Sequence, residues 1–391
     1  MKIVHISDNH LGKAQFYLAE REEDLYRAFN QAIELALMEK PDLIIHTGDL
    51  FDSYRPHPRA FVKAFEGFLK VLERDIPIAI IEGNHELGAD TIRRRITSPI
   101  VNLKRLFERL GFKNFFRLGP GIERIGDLVI GGIPYTSRGA HIVETIESLD
   151  RKRKQICNCP SILMIHQGVK GMIKAFYPEI ELSDIARSSF DYVAMGHYHN
   201  RVVYRKGNRV FAYSGSTEVI EMREVPISVR EGKSILSIDL DKGSVEVRPL
   251  ALKTRPFVYI NERISNTREL YSLIETVSQF ISSLEDRPVI VGKVKVNEVK
   301  VGLVKLEFKR ALQDKALYVK IDEVRQDKVE RPAEQIPTGI GLEDVVHSAI
   351  GSMRLDDDVK RLALTVFDLW YREGRRGDPF IQKLISMAEG D

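Results

Sequence analysis

Cysteine is nearly absent: Cys157 and Cys159, one residue apart, are the only two in 391 residues. So close a pair rarely closes a disulfide, and two thiolates alone do not complete a zinc site. Reduced thiols in a loop are therefore expected, with the chemistry carried by other residue types. No run of about 18 apolar residues occurs, which excludes a spanning helix and any membrane role for one. The first apolar run reaches Ser7 and Asp8 too soon for a signal peptide, so the expected compartment is the cytoplasm. Repeats and low-complexity stretches are also missing. There is no large excess of either charge. The 59 basic and 56 acidic residues give a net +3, which excludes a histone-like or basic-tail binder but leaves room for local basic patches. The charge is unevenly placed: residues 340–391 hold seven Lys/Arg and ten Asp/Glu, a balance of −3, so the rest carries +6. What the chain does have is 43% hydrophobic residues and enough length for two or three globular domains.

Over the first 250 residues apolar runs alternate with helical patterns. Buried strands are predicted at Lys2–Ser7, Asp42–Thr47, Pro77–Glu82, Leu128–Ile133, Ser161–Ile165 and Tyr192–Met195. Helices are predicted at Arg21–Met38 and Phe61–Leu72. From Arg201 onward the pattern is hairpins, with turns at Lys206-Gly207-Asn208 and Asp241-Lys242-Gly243. This is a layered α/β domain over residues 1–254. Residues 255–324 then read as a small α+β domain, with strands at Val258–Ile260, Val289–Val296, Val304–Phe308 and Leu317–Ile321 and a helix at Arg268–Leu284. Residues 325–339 are charged and rich in Pro and Gly, as in a linker. Residues 340–391 hold two amphipathic helical patterns separated by Asp356-Asp357-Asp358, which can cap the second.

Polar clusters fall at five strand ends: Asp8-Asn9-His10, Gly48-Asp49, Gly83-Asn84-His85-Glu86, His166, and Gly196-His197-Tyr198-His199. Along the series Asp8, Asp49, Asn84, His166 and His197 the successive intervals are 41, 35, 82 and 31 residues. In a layered α/β fold the carboxyl ends of strands gather on one edge, where sites form. Carboxylate with imidazole and no thiolate suits a borderline divalent ion such as manganese, iron or zinc. Two ions about 3.5–4 Å apart need a shared ligand; Asp49 is the isolated acid of the set, and Asn84 offers a neutral carbonyl oxygen.

In this order the motifs resemble the calcineurin-like metallophosphoesterases. Ile6-Ser7-Asp8-Asn9-His10-Leu11-Gly12, the Arg21–Asp24 helix start, His46-Thr47-Gly48-Asp49-Leu50-Phe51-Asp52, Ser214-Gly215-Ser216-Thr217-Glu218 and Arg255-Pro256-Phe257 narrow the resemblance to the double-strand-break repair nucleases of the Meiotic Recombination Eleven type and their bacterial relative SbcD. The resemblance is strong over residues 1–256, architectural over 257–323 and faint beyond. It implies an α/β β-sandwich flanked by helices, a DNA-binding capping domain and a C-terminal helix pair. One ion would take Asp8, His10, Asp49 and His199, and a second Asp49, Asn84, His166 and His197. His85 would be the catalytic histidine, and both ions would be Mn2+. The implied activity is exonuclease and endonuclease cleavage of DNA ends by a homodimer. Its implied partner is an SMC-like coiled-coil ATPase, docked through residues 340–391. The alternative enzyme reading is a dinuclear-metal phosphodiesterase acting on nucleotides or small phosphodiesters. A scaffold that has lost catalysis is the other rival, set against the presence of every ligand.

Other features have two readings each. Lys13, Arg55, Arg59 and the Arg93-Arg94-Arg95 run follow the metal motifs and could neutralise DNA phosphates, or could be ordinary solvated charge. Arg151-Lys152-Arg153-Lys154 reads as the exposed end of a helix. Phe61, Phe65, Phe68 and Leu72, with Val101, Leu103, Leu106, Phe107 and Leu110, form helical apolar stripes. They would pack on the sheet or build a dimer. The C-terminal helices would dock on the parent chain or on a partner.

Overall fold

Short runs of Ile, Val and Leu with no polar alternation form strands buried on both faces, the pattern of a parallel sheet covered on each side. The computed structural model describes residues 1–88, 97–173, 178–296, 299, 302–325, 350, 356, 359–361 and 364. In chain order its strands begin β1 (Lys2–Ile6), β2 (Leu43–His46), β3 (Ile78–Ile80), β4 (Phe115–Arg117), β5 (Gly121–Ile125), β6 (Leu128–Ile133) and β7 (Ser161–His166). They continue β8 (Val169–Lys170), β9 (Ile180–Glu181), β10 (Tyr192–Gly196), β11 (Val202–Lys206), β12 (Arg209–Tyr213), β13 (Lys233–Asp241) and β14 (Ser244–Leu252). Two six-stranded sheets result, ordered β14-β13-β1-β2-β3-β4 and β11-β12-β10-β7-β6-β5.

The period-two alternation of each strand sorts its side chains between two cores. Ile3, Leu43, Ile45 and Ala79 of the first sheet meet Ile130, Ile162, Met164 and Ala194 of the second. Val4, Ile6, Ile44, Ile78 and Ile80 face outward against Phe29, Ile33, Phe68 and Phe107, which lie on the helices Ala19–Met38, Pro58–Leu72 and Pro99–Arg109. The helix Gly139–Ile156 covers the second sheet with Ile142, Ile146 and Leu149. The result is a helix–sheet–sheet–helix sandwich, the α/β class predicted. β1, β2 and β3 are parallel, with Ile6 beside His46 and His46 beside Ile80. β7 and β10 are parallel, with His166 beside Gly196. Five carboxyl ends therefore come together at one edge.

β15 (Phe257–Ile264), β16 (Val289–Val296) and β17 (Tyr318–Arg325) form an all-parallel sheet with the helices Thr267–Ile281 and Leu303–Leu312. The helix Leu303–Leu312 corrects the strand predicted at Val304–Phe308. Val304, Leu306 and Phe308 alternate like a strand, but Leu306 is 60% exposed while Val304, Phe308 and Leu312 are buried. The fourfold spacing is the one that packs. Cys157 and Cys159 also depart from expectation: they are joined as a disulfide. Their Cα atoms are 5.4 Å apart, a span that a bridge can close. Residues 1–325 form one compact unit and 326–391 another. The expected linker 325–339 and helices 340–391 lie almost wholly outside the described residues. Among the described residues no helix is long and apolar enough to cross a membrane.

A buried ionic knot joins the sandwich to the segment entering β15. Arg21 donates through Nη1 to Asp24 Oδ2 (2.6 Å) and through Nη2 to the Val219 carbonyl (3.0 Å). Arg255 donates through Nε and Nη2 to the same Asp24 carboxylate at 2.5 and 2.9 Å. Burial opposes ionisation of Asp24, but Arg255, Arg21 and Arg27 outweigh it and hold the carboxyl below its ordinary range. A depressed native pKa gives stability that is present above about pH 4, the unfolded value, and is lost as pH falls through the native one. Asp24→Asn should therefore cost about 3–5 kcal/mol at pH 7, since Arg255 and Arg21 lose the carboxylate they share and Arg21 keeps only Glu218 as an acidic partner. The deficit should shrink below about pH 4. Guanidinium-chloride unfolding at the two pH values measures it, and an unchanged midpoint at pH 7 would refute the role given to Asp24.

Candidate dinuclear metal centre

The turns after the strands use backbone that L-residues avoid. Asp8 has φ 52°, His10 48°, Asp49 53° and His197 87°, all in the left-handed region. Main-chain bonds between the first two turns fix this geometry: Asp8 N donates to Gly48 O (3.0 Å), His10 N to Asp49 O (3.0 Å) and Leu11 N to Leu50 O (2.9 Å). Gly48 (φ 97°) and Gly83 permit the close approach. A Cβ on Gly48 would lie 2.5 Å from His166 Nδ1, and one on Gly83 would lie 2.1 Å from Asp49 Oδ1.

Two ligand-type clusters form side by side, each with its donor atoms within 4.8 Å of one another: Asp8, His10 and His199, and Asp49, His166 and His197. His10 Nε2 lies 3.2 Å from His199 Nε2. Asp49 Oδ2 is 3.7 Å from His10 Nε2 and 3.2 Å from His166 Nε2, so this carboxylate stands between the clusters. Asn84 Oδ1 is 3.2 Å from His166 Nε2 and 3.0 Å from His197 Nδ1. All seven residues named from the sequence are thus gathered at one edge. His85 is beside them, its ring 4.6 Å from that of His10. Its main-chain N–H donates to Asp49 Oδ1 (2.9 Å) and its Nδ1 meets the Asp52 carbonyl (2.8 Å). The ring is one-third exposed.

The electrostatics of the cluster follow from burial. Burial opposes ionisation of Asp49, but His166 and His10 hold its carboxyl well below the usual range. Burial disfavours the charged form of His166 too, and the Asp49 carboxylate outweighs it, raising the imidazole pKa. Burial, with the His166 charge, pushes His197 down to about 3. Desolvation, with the Asp49 charge, pushes Glu86 up to about 8, against the main-chain N–H groups of Phe51 and Gly83 that donate to it. The donor set fits divalent cations. Asp8 and Asp49 are fully buried carboxylates among imidazoles and an amide oxygen, the mixture that borderline ions prefer.

Several supporting residues lie outside the ligand set expected from the sequence. Glu86 accepts from the N–H groups of Asp49 (3.0 Å), Phe51 (2.9 Å) and Gly83 (2.8 Å), tying the second and third turns together. Glu224 meets His199 Nδ1 at 2.7 Å, and Asp52 meets His10 Nδ1 at 3.0 Å. Only the acids within the quoted motifs, Asp52 and Glu86, had a sequence signal. Of the residues expected to face DNA, Lys13 is bonded to Asp52 Oδ1 (3.0 Å). Arg59 pairs with Glu23 and lies over the Tyr26 ring; Arg55 lies over Tyr54. Arg93 is outside the described residues. In the apolar stripes Phe68, Leu72, Leu103 and Phe107 are core, whereas Leu110 is exposed.

Adding one methyl group at Gly83 should displace Asp49 from between the clusters. Gly83→Ala is expected to weaken Mn2+ binding, measured by calorimetry, by at least about tenfold, as for other changes just outside a ligand shell. The same Cβ would lie 2.6 Å from the Asp49 main-chain nitrogen, so the melting temperature should fall as well. Unchanged binding would show that the close approach is not needed.

Residues 1–201 match the family described as calcineurin-like phosphoesterase. The DNA double-strand break repair protein Mre11 of Methanocaldococcus jannaschii is 30% identical over 369 residues, covering 92% of this chain and 92% of that protein. The Mre11 of Methanococcus maripaludis is 33% identical, over 74% of this chain and 77% of its own. That of Saccharolobus solfataricus is 29% identical, over 88% of each. Among solved structures, a dimetal phosphatase from Danio rerio aligns at 12% identity with a TM-score of 0.36, over 65% of this chain and 98% of its own. The match over half the chain and the similarity to the archaeal proteins over most of its length lead to one conclusion: this chain belongs to the calcineurin-like phosphoesterases and, within them, to the Mre11 family.

Proposed function

We propose that the chain is a manganese-dependent nuclease that hydrolyses phosphodiester bonds at DNA ends in double-strand-break repair, as exonuclease and endonuclease. The observation that carries this reading is the pair of carboxylate–imidazole clusters sharing Asp49, with His85 fixed beside them. Asp8, His10, Asp49 and His199 would hold one ion, and Asp49, Asn84, His166 and His197 the other. Bound there, two divalent ions supply Lewis-acid stabilisation of phosphoryl charge and a water acidic enough to attack at neutral pH.

His85 carries the protein's own share of the chemistry. Its Nδ1–H donates to the Asp52 carbonyl, which fixes the tautomer and leaves Nε2 as the working atom. When protonated, Nε2 can stabilise the charge that develops on the phosphoryl oxygens or deliver a proton to the leaving oxygen. The N–H bond to Asp49 sets the distance of the ring from the centre.

In the same reading residues 1–254 are the nuclease domain, 255–324 a DNA-binding capping domain and 325–339 a linker. Residues 340–391 dock an SMC-like coiled-coil ATPase, and the chain is a homodimer associated with the nucleoid. The similarity to archaeal Mre11 proteins over most of the length supports these assignments.

Digestion of an end-labelled duplex with Mn2+ tests the proposal directly. His85→Gln should bind Mn2+ as the parent does but lose about 10²–10⁴-fold in cleavage rate, while Asp49→Ala should lose both binding and cleavage. Full cleavage by His85→Gln would remove the histidine from its role. Turnover of a chromogenic phosphodiester without DNA cleavage would favour a small-molecule phosphodiesterase. For the docking segment, deleting residues 340–391 should abolish co-purification with the ATPase and leave Mn2+-dependent cleavage intact; retained co-purification would place the contact elsewhere.

A further inference from the structure

The two halves of the centre are supported differently. In the Asp8–His10–His199 half, each imidazole is backed by a carboxylate. His199 Nδ1 meets Glu224 Oε1 at 2.7 Å and His10 Nδ1 meets Asp52 Oδ1 at 3.0 Å. Each carboxylate has a lysine behind it. Lys233 Nζ donates to Glu224 Oε2 (2.5 Å), to Ser216 Oγ (2.8 Å) and to the His199 carbonyl (3.0 Å), and is itself buried. Lys13 Nζ donates to Asp52 Oδ1 (3.0 Å). In the other half, His166 Nδ1 meets a neutral acceptor, the Thr47 carbonyl, at 2.6 Å. His197 Nδ1 and Asn84 Oδ1 face each other at 3.0 Å as two ligand atoms of this half, so that contact is not a support from behind. Glu86 supports that half through main-chain N–H groups and not through a histidine ring.

These differences bear on ion affinity. An imidazole whose distal N–H donates to a carboxylate is a more basic and better oriented ligand. Charge-assisted bonds of this kind are roughly twice as strong as bonds to a neutral carbonyl. The lysines hold the two carboxylates in place, and Lys233 spares the buried Glu224 an uncompensated charge.

We infer that the two ions are held unequally: the Asp8–His10–His199 seat fills first and tightest, and Glu224 and Asp52 are the positioning residues that make it so. The inference rests on the dinuclear reading proposed above. It makes the half that shares Asp49 with His166 and His197 the one whose occupancy follows the free ion concentration, so that the nuclease is gated by its second ion.

The test is Mn2+ titration of metal-free, full-length protein by calorimetry, followed by electron paramagnetic resonance. Wild type should bind in two steps at least about tenfold apart. An isolated Mn2+ spectrum should appear first and an exchange-coupled one only after the second equivalent. His197→Ala should retain the tight step, and His199→Ala only the weak one. Glu224→Gln combined with Lys233→Met removes both charges of the buried pair, and Asp52→Asn serves as an independent variant should the double substitution fail to fold. Each should weaken the tight step by about 10–100-fold and leave the weak step unmoved, a selectivity that general destabilisation would not produce. Two equal steps, or a shift confined to the weak step, would overturn the inference and leave the dinuclear reading standing. No Mn2+ binding by wild type would instead sink the dinuclear reading itself.

Discussion

The constraint on which the rest of this structure depends is the left-handed backbone at Asp8, His10, Asp49 and His197. Such conformations cost about 1–3 kcal/mol each for residues with a Cβ. Four of them together therefore approach the net stability of an ordinary domain, about 5–15 kcal/mol. They persist because the surroundings over-determine them. The first two turns are bonded to each other through main-chain groups. Glu86 clamps the second turn to the third, and both sheets beneath are buried on two faces. The geometry requires this strain: only a reversal of the chain directly after a strand turns Asp8 and His10 back over the sheet edge toward Asp49.

A second consequence is electrostatic. Gathering acids and imidazoles in a dry edge favours counter-charges, and three of the acids have them, whereas Glu86 is held by main-chain N–H groups alone. The pairs are layered: Asp49 with His166, Asp52 with His10 and Lys13, Glu224 with His199 and Lys233. Buried pairs of this kind contribute little net stability but are costly to break. Their effect here is positional, since a carboxylate held by a lysine cannot rotate away from the histidine it orients. Lys13 illustrates the point. Its position after the first motif suggested a phosphate contact, and its charge is already engaged inside the chain.

Much of this was legible in the sequence, for a definite reason. Buried parallel strands read as uninterrupted apolar runs, and the residue types just past their ends were too polar to be packing. Asp8, Asp49, Asn84, His166 and His197 therefore stand out as one group from the sequence alone. What was not legible depended on distant partners. Glu224 and Lys233 lie 25 and 34 residues from His199 and carry no local pattern. Leu306 shows the same limit within one element: its alternation with Val304 and Phe308 suits a strand, and only its exposure reveals a helix. The spacing of Cys157 and Cys159 argues against a bridge, whereas the extended backbone at Cys157 decides how far apart the two residues sit.

The motifs that carried the family resemblance also divide into two physical roles. Asp8, Asp49 and their companions build the centre. Arg21, Asp24, Glu218 and Arg255 touch none of it and form the knot at the entry to β15. The two groups meet in one loop, residues 214–220. Ser216 donates its main-chain N–H to the His199 carbonyl (3.0 Å), and Thr217 accepts from Asn9 beside the first ligands (3.0 Å). The next residue, Glu218, pairs with Arg21 (3.3 Å) and accepts from the Arg255 main chain (3.3 Å). Three consecutive residues thus bond to a ligand strand end, to the first metal turn and to the knot. A loop so fully bonded on both sides cannot relax around one without moving the other. The position of the small sheet and the geometry at His199 are consequently set by the same few hydrogen bonds.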